Sequence, residues 1–150
     1  MEKEGLKVDL TEDGRRLKMM PVVDEYSREC LSIDVERSIT AEDVVSTLAS
    51  LFRQRGAPAF IRSDNGPEFI AKTIKIWLEV SGVKTLYIEP GSLWQNAYSK
   101  TFISRFSDEL LNREVFADLL EAKVLVEDYR GRYNHQRPHS ALGYLILRSS

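Results

Sequence analysis

The chain has a single cysteine, no long apolar run and almost no net charge. One cysteine, Cys30, cannot form an internal disulfide or a cysteine-based zinc site, so we expect a small hydrophobe in a strand and a reducing compartment. No stretch approaches the roughly 18 apolar residues of a membrane span, and the charged start between Met1 and Lys7 does not resemble a signal peptide. These absences predict a cytoplasmic protein that has no membrane partner.

The charge balance limits the partners of the chain. Lysine and arginine total 21 against 23 acidic residues, a formal net charge of −2, so no global positive field attracts the chain to DNA. Any nucleic-acid contact therefore needs a local patch. A length of 150 residues with 43% hydrophobic and 29% charged residues is ordinary for a globular protein, and we expect residues 1–150 to form one domain.

Hydrophobic periodicity predicts the element order βββ-α-β-α-β-α-α. The strands are expected at 6–10, 16–23, 30–35, 59–61 and 83–88. The helices are expected to begin at Thr40, Pro67, about Tyr98 and Asp118, with the last running to about Tyr133. This order predicts an α/β fold with a mixed five-stranded sheet, three antiparallel strands then two parallel, and helices on both faces.

Four motifs carry the functional signal. The stretch 61–69 (IRSDNGPEF) places Asp64 just beyond a strand, where open α/β sheets commonly have their binding or active sites. A turn that only starts a helix would use the same residues. The others are the hairpin 12–31, the stretch 90–98 and the C-terminal stretch 133–142. In this order, over about residues 11–143, they resemble the integrase catalytic core of bacterial insertion-sequence transposases, a DDE, ribonuclease H-like domain related to retroviral integrase.

The resemblance implies DNA strand transfer with two Mg²⁺ or Mn²⁺ ions held by two aspartates and one glutamate. Asp64 matches the second aspartate, but the glutamate position is Lys100 and the first aspartate position is Gly5. Lysine donates and cannot coordinate a metal, and glycine has no side chain, so two of three ligands are missing. Asp9 would replace the first ligand only through an irregular first strand. We therefore expect an inactive homologue without a metal cofactor, in which the Lys100 ammonium pairs with Asp64.

Two divergent ends frame this core. Residues 1–10 are interpreted as an eroded first strand, and residues 144–150 as a tail that departs from the family pattern. We expect no upstream helix-turn-helix segment of the kind by which such transposases recognise element ends.

Other functions stay open beside this one. The first is a DNA-binding or transposition-modulating module without chemistry, whose phosphate contacts would be Arg62, Asn65, Lys72, Arg137 and His139. Each of these residues also suits a solvated helix face or cap. An active metal-dependent strand transferase is the least favoured reading.

Two further points concern the C-terminal half. His135 and His139 are not expected to form a helical metal pair, because Pro138 should break the helix. A dimerising structural protein is the remaining alternative, with Trp94, Phe116 or the tail 144–147 as contacts, although each suits an ordinary core equally well.

Overall fold

The computed structural model describes residues 2–3, 7–63, 72–87 and 97–149, with side chains for residues 9–62, 72–85 and 101–135. The strands of these residues are β1 (Glu2–Lys3), β2 (Lys7–Leu10), β3 (Arg16–Val23), β4 (Cys30–Glu36), β5 (Phe60–Ser63) and β6 (Lys84–Tyr87). The helices are α1 (Ala41–Arg55), α2 (Lys72–Val80), α3 (Ala97–Phe106) and α4 (Leu119–Ser149), and a π-helical turn at Ser107–Leu111 follows α3.

All six strand segments belong to one sheet, in which β1 and β2 occupy successive stretches of a single strand position. Both pair antiparallel with β3, with Lys3 opposite Val22 and Lys7 opposite Met19, so the register against β3 shifts by one residue between them. β1 also pairs parallel with β5, which pairs parallel with β6. Counted by position, the order is β4-β3-β1/β2-β5-β6, and the predicted arrangement of three antiparallel and two parallel strands is confirmed.

β3 is the most deeply buried strand. Every residue from Met19 to Val23 is buried, because the strand has a neighbour on each side and helices over each face. Pro21 lies within this strand, opposite Ile33 of β4.

Two hydrophobic cores lie on opposite faces of the sheet. The first packs β3 and β4 against α3 and α4, and it includes Phe102, Phe106 and Tyr129. The second packs β3 and β5 against α1 and α2, and it includes Leu48 and Ile74. The predicted layers, with helices on both faces, are confirmed. None of the described helices combines the length and apolar character needed to cross a membrane.

Both predicted helix caps are present. At α1 the Thr40 hydroxyl accepts from the backbone N of Asp43, whose carboxylate accepts from the N of Thr40. At α4 the carboxylate of Asp118 accepts from the N of Glu121, at 2.8 Å. These bonds satisfy N–H groups that have no partner within the helix, which is why the helices begin where they do.

The predicted end of α4 is wrong. The helix continues through Pro138 to Ser149, a length of 31 residues, instead of ending near Tyr133. A proline removes one backbone hydrogen bond and bends a helix, and a long helix keeps its bonds on both sides of that point. Proline therefore does not break the helix between His135 and His139, and the argument against their pairing fails at that step.

Phe116 belongs to the core. The sequence left it open whether this residue is a dimer contact or an ordinary core residue, and the structure shows the second. The side chain is fully buried, and its backbone bridges in parallel to Thr11. The carbonyl of Phe116 accepts from the N of Glu12 at 2.8 Å, which ties the start of α4 to the first hairpin. Phe116 is thus removed from any dimer surface, whereas Trp94 lies outside the described residues.

Candidate functional site

The strands that lead to two of the predicted metal-ligand positions are neighbours in the sheet. β1 and β5 run parallel, with Glu2 opposite Arg62. Gly5 follows β1 by two residues and Asp64 follows β5 by one, and both lie outside the described residues, as does Asn65. β1 and β5 therefore run in the same direction, side by side, toward these two positions of the sequence.

The third position, Lys100, lies in the first half of α3, and its side chain is outside the described residues. Two fully buried phenylalanines anchor this helix. The ring of Phe102 meets Tyr133 edge-on at 4.9 Å between centroids, and the ring of Phe106 lies 5.5 Å from that of Tyr129. These contacts fix α3 against α4, and with it the backbone at Lys100.

Asp9, the alternative first ligand, lies in β2 opposite Leu17 of β3. Its Oδ1 accepts a hydrogen bond from the backbone N of Leu10 at 2.8 Å. In the described sheet it is β1, and not β2, that pairs with β5, the strand that precedes Asp64. Among the described side chains, no three His, Cys, Asp or Glu residues are grouped to hold a metal ion.

Arg62 is engaged within the chain. Its Nε lies 3.4 Å from Oε2 of Glu25, and its guanidinium lies 5.7 Å from the centre of the Phe60 ring. Glu25 belongs to the turn between β3 and β4, which is closed by a bond from the N of Arg28 to the carbonyl of Asp24. The ion pair therefore joins this turn to β5.

The other predicted DNA contacts lie on two helices. Lys72 is the exposed first residue of α2. On α4, Arg137 and His139 are described by backbone alone, and nearby Arg132 pairs with Asp128 at 2.9 Å.

Cys30 is the fully buried first residue of β4, which confirms its prediction as a strand hydrophobe. Burial raises the pKa of its thiol to about 12, so the thiol stays protonated at neutral pH and is neither nucleophile nor ligand. The side chain of Asn134 accepts from the N of Cys30 and donates to its carbonyl, both at 2.8 Å. The side chain of Asn134 on α4 thus forms the two backbone hydrogen bonds that a neighbouring strand would form with Cys30.

A polar groove along the outer edge of β4 was not foreseen from the sequence. It consists of two adjoining cavities, of about 390 and 470 Å³, between α1 and the 123–130 stretch of α4, along Leu31–Glu36. We call it the β4 groove. The residues that line both cavities are Ile33, Asp34, Ser46, Thr47 and Glu127.

Asp34 lies at the centre of the β4 groove. The hydroxyl of Thr47 on α1 donates a hydrogen bond to its Oδ2, and that of Ser32 donates to Oδ1 at 3.4 Å. Burial raises the pKa of Asp34 above its usual range, although both hydroxyls act in the opposite direction. The signal in the sequence is the alternation of Ser32, Asp34 and Glu36, which share one face of β4.

Comparison with known families places the whole chain in one group of proteins. Residues 2–93 match a family described as Integrase core domain, and residues 81–146 match a second family of the same description.

Two relatives from insertion elements are 39% identical to the chain. They are the uncharacterized 39.2 kDa protein of IS476 from Xanthomonas euvesicatoria and the 31.7 kDa protein of IS407 from Burkholderia multivorans. The matches cover 90% and 92% of this chain but 39% and 50% of those proteins, so the chain spans half of their length or less.

Solved structures share the fold at low identity. The catalytic domain of Mos1 mariner transposase superposes with a TM-score of 0.69 at 12% identity, covering 87% of this chain and 69% of that one. The HTLV-2 integrase catalytic core, solved in complex with magnesium in a trimeric form, gives 0.52 at 15% identity and 76% of each chain. These neighbours confirm the predicted ribonuclease H-like fold.

Proposed function

This chain belongs to the integrase core domain family, and from that premise we propose that it keeps the catalytic-core scaffold but no longer catalyses DNA strand transfer. It is a homologue of transposase and integrase catalytic cores. What the proposal adds is the loss of chemistry. The atoms available at the three positions that match the carboxylates of the family support this loss.

The donor set does not fit a two-metal site. Paired divalent ions in such cores would stabilise the attacking and leaving oxygens of the transferred phosphate, and Mg²⁺ requires oxygen ligands. Asp64 offers an oxygen, whereas Gly5 has no side chain and Lys100 presents an ammonium that only donates. Replacing a glutamate by a lysine raises the local charge by two units, which disfavours cations. That charge also favours an ion pair between Lys100 and Asp64.

The observation that carries the proposal is the contrast between a retained scaffold and missing ligands. β1 and β5 lie side by side and parallel, and α3 is anchored on two buried rings. These are the elements that lead to Gly5, Asp64 and Lys100. A scaffold that persists without its ligands supports a loss of chemistry rather than a loss of fold.

Restoring the carboxylates tests this proposal. The double variant Gly5→Asp/Lys100→Glu should gain Mn²⁺ binding in titration calorimetry, because it completes the oxygen set at the three positions. The matched control Gly5→Asp/Lys100→Met removes the ammonium but supplies only two carboxylates, and it should bind more weakly. A folded double variant that binds no metal would show that the alignment of these positions is wrong.

Binding of DNA without chemistry is a second candidate function. Lys72 favours it, because this lysine is exposed at the described start of α2, the helix that follows Asp64 in the chain. Fluorescence anisotropy with duplex DNA should show binding at about 50 mM salt that weakens as salt rises. Lys72→Ala should lower the salt slope by about one phosphate contact, whereas Lys84→Ala, an exposed lysine on β6, should not. A flat response at low salt rejects this function.

A further inference from the structure

The outer edge of β4 is only partly covered by the described chain. β4 pairs with β3 on one side, and no described strand lies on the other. At its start, Asn134 bonds both backbone groups of Cys30, and Nη1 of Arg130 lies 3.0 and 3.5 Å from the carbonyls of Cys30 and Leu31. Beyond these residues, from Ser32 to Glu36, the strand borders the β4 groove. Such an edge offers alternate N–H and carbonyl groups to another strand.

The shape of the β4 groove suits an extended peptide. The two cavities adjoin along the strand, and the stretch from Ser32 to Glu36 gives a run of about 16 Å at roughly 3.3 Å per residue. The wall formed by α1 carries hydroxyl and amide side chains, among them Ser46, Ser50 and Gln54. These groups can hydrogen-bond the backbone and polar side chains of a guest.

The charge of the β4 groove favours a basic guest. Four carboxylates line it, against two basic side chains. Lys123 pairs with Glu36 at 2.9 Å, and Arg130 pairs with Glu127 at 2.6 Å, so the net charge is that of the remaining acids. These acids are Asp34, at the centre of the groove, and Asp43, in the first turn of α1.

We propose that the β4 groove binds an extended basic segment of another protein, which adds a strand to β4 and places a lysine or arginine over Asp34. Pairing of two copies of this chain through the groove is disfavoured, because each copy would bring the same net negative charge. None of the large hydrophobic side chains exposed on the described surface lines the groove, so an apolar dimer interface is not built there. The inference does not depend on the proposed function.

The test uses a labelled heptapeptide of alternating threonine and valine with a central lysine. In fluorescence anisotropy at low salt, the lysine peptide should bind the full chain at least about tenfold more tightly than the same peptide with a central glutamate. Asp34→Asn, which keeps the shape and an acceptor for Thr47, should remove most of this difference. Glu42→Gln, which changes an exposed acid of α1 outside the groove, should leave it unchanged.

A second peptide tests the added strand. Methylation of alternate backbone nitrogens on the edge that faces β4 should abolish binding, whereas methylation on the opposite edge should preserve it. Equal affinity for the lysine and glutamate peptides would overturn the proposal. So would a dimer in light scattering that the lysine peptide dissociates, because the groove would then be the contact between copies.

Discussion

The side chain of Asn134 forms hydrogen bonds with both backbone groups of one other residue, Cys30. Its amide bonds the N and the carbonyl of Cys30, and its partner residue is fully buried. Asn134→Ala should therefore lower the free energy of unfolding by about 1–3 kcal/mol, because the buried N of Cys30 loses the Asn134 acceptor and its carbonyl keeps Arg130 but loses the Asn134 donor. Chemical denaturation measures this loss. His135→Ala, at the exposed neighbouring position, should change it by less than about 0.5 kcal/mol, and equal effects would contradict the account.

Asp34 gives a pH dependence whose sign follows from its setting. Burial raises the pKa of this carboxyl in the folded state above its unfolded value, so folding disfavours the ionised form. The contribution to stability is full below the unfolded pKa and is lost as pH rises through the folded pKa. Asp34→Asn should thus gain stability relative to the unsubstituted chain between about pH 3 and 7, in denaturation at each pH. A relative stability that falls over this range would contradict the assigned environment.

At the scale of single residues, the sequence predicts the character of a side chain better than it predicts which side chains surround it. A lone cysteine in a β-type stretch is predictable as a buried hydrophobe, and Cys30 is one. The importance of Asp34 is not predictable. Thr47, which bonds it, and Glu127, which lines the same groove, are distant in the sequence and come together with it only through the packing of α1 and α4. The predicted site residues Asp64 and Lys100 depend on motif resemblance, which periodicity does not supply.

The helix α3 depends on aromatic packing for its position. Phe102 is fully buried, stacks on Phe106 at 5.8 Å and meets Tyr133 edge-on. Phe102→Ala should lower the free energy of unfolding by about 3–5 kcal/mol, because it leaves a cavity and removes ring contacts. Thermal or chemical unfolding measures this loss. The control is Ile76→Ala, at a half-exposed site of α2. A small loss at Phe102 would mean that α3 is not held by this cluster.

Element order was predictable because each stretch carries its own hydrophobic period and end signals. The capping residues Thr40 and Asp118 mark the starts of α1 and α4 in the sequence as in the structure. The one-residue shift in register between β1 and β2 was not predictable, since it depends on how each segment pairs with β3. The end of α4 was mispredicted because Pro138 was treated as a local stop, whereas a long helix absorbs one lost bond.

The whole molecule has almost no net charge, and several of its basic side chains form ion pairs within the chain. Arg55 pairs with Glu29 and Lys123 with Glu36, both between partly exposed side chains. Such surface pairs contribute little stability, about 0–1 kcal/mol each, but they occupy cations that phosphates would otherwise attract. The near-neutral charge of the chain and the ion pairs of its basic side chains agree with the proposal that it does not act on DNA by itself.

Self-association is a second property of the whole molecule and stays a prediction. Two exposed apolar residues one turn apart, Leu120 and Val124, lie on the side of α4 away from the core. If a homodimer forms, this pair of residues is an apolar surface available on the part of α4 whose side chains the structure describes. Light scattering should then give twice the mass of 17.2 kDa, and Val124→Lys should restore the monomer. A clean monomer across concentrations would count against the dimer.

The central claim is that the retained integrase-core scaffold has lost its metal site, and titration of the unaltered chain with Mn²⁺ tests it most directly. The loss of ligands at Gly5 and Lys100 predicts no heat of specific binding at neutral pH. Saturable binding of about two ions per chain would contradict the claim, because two-metal strand transfer would then be available to it.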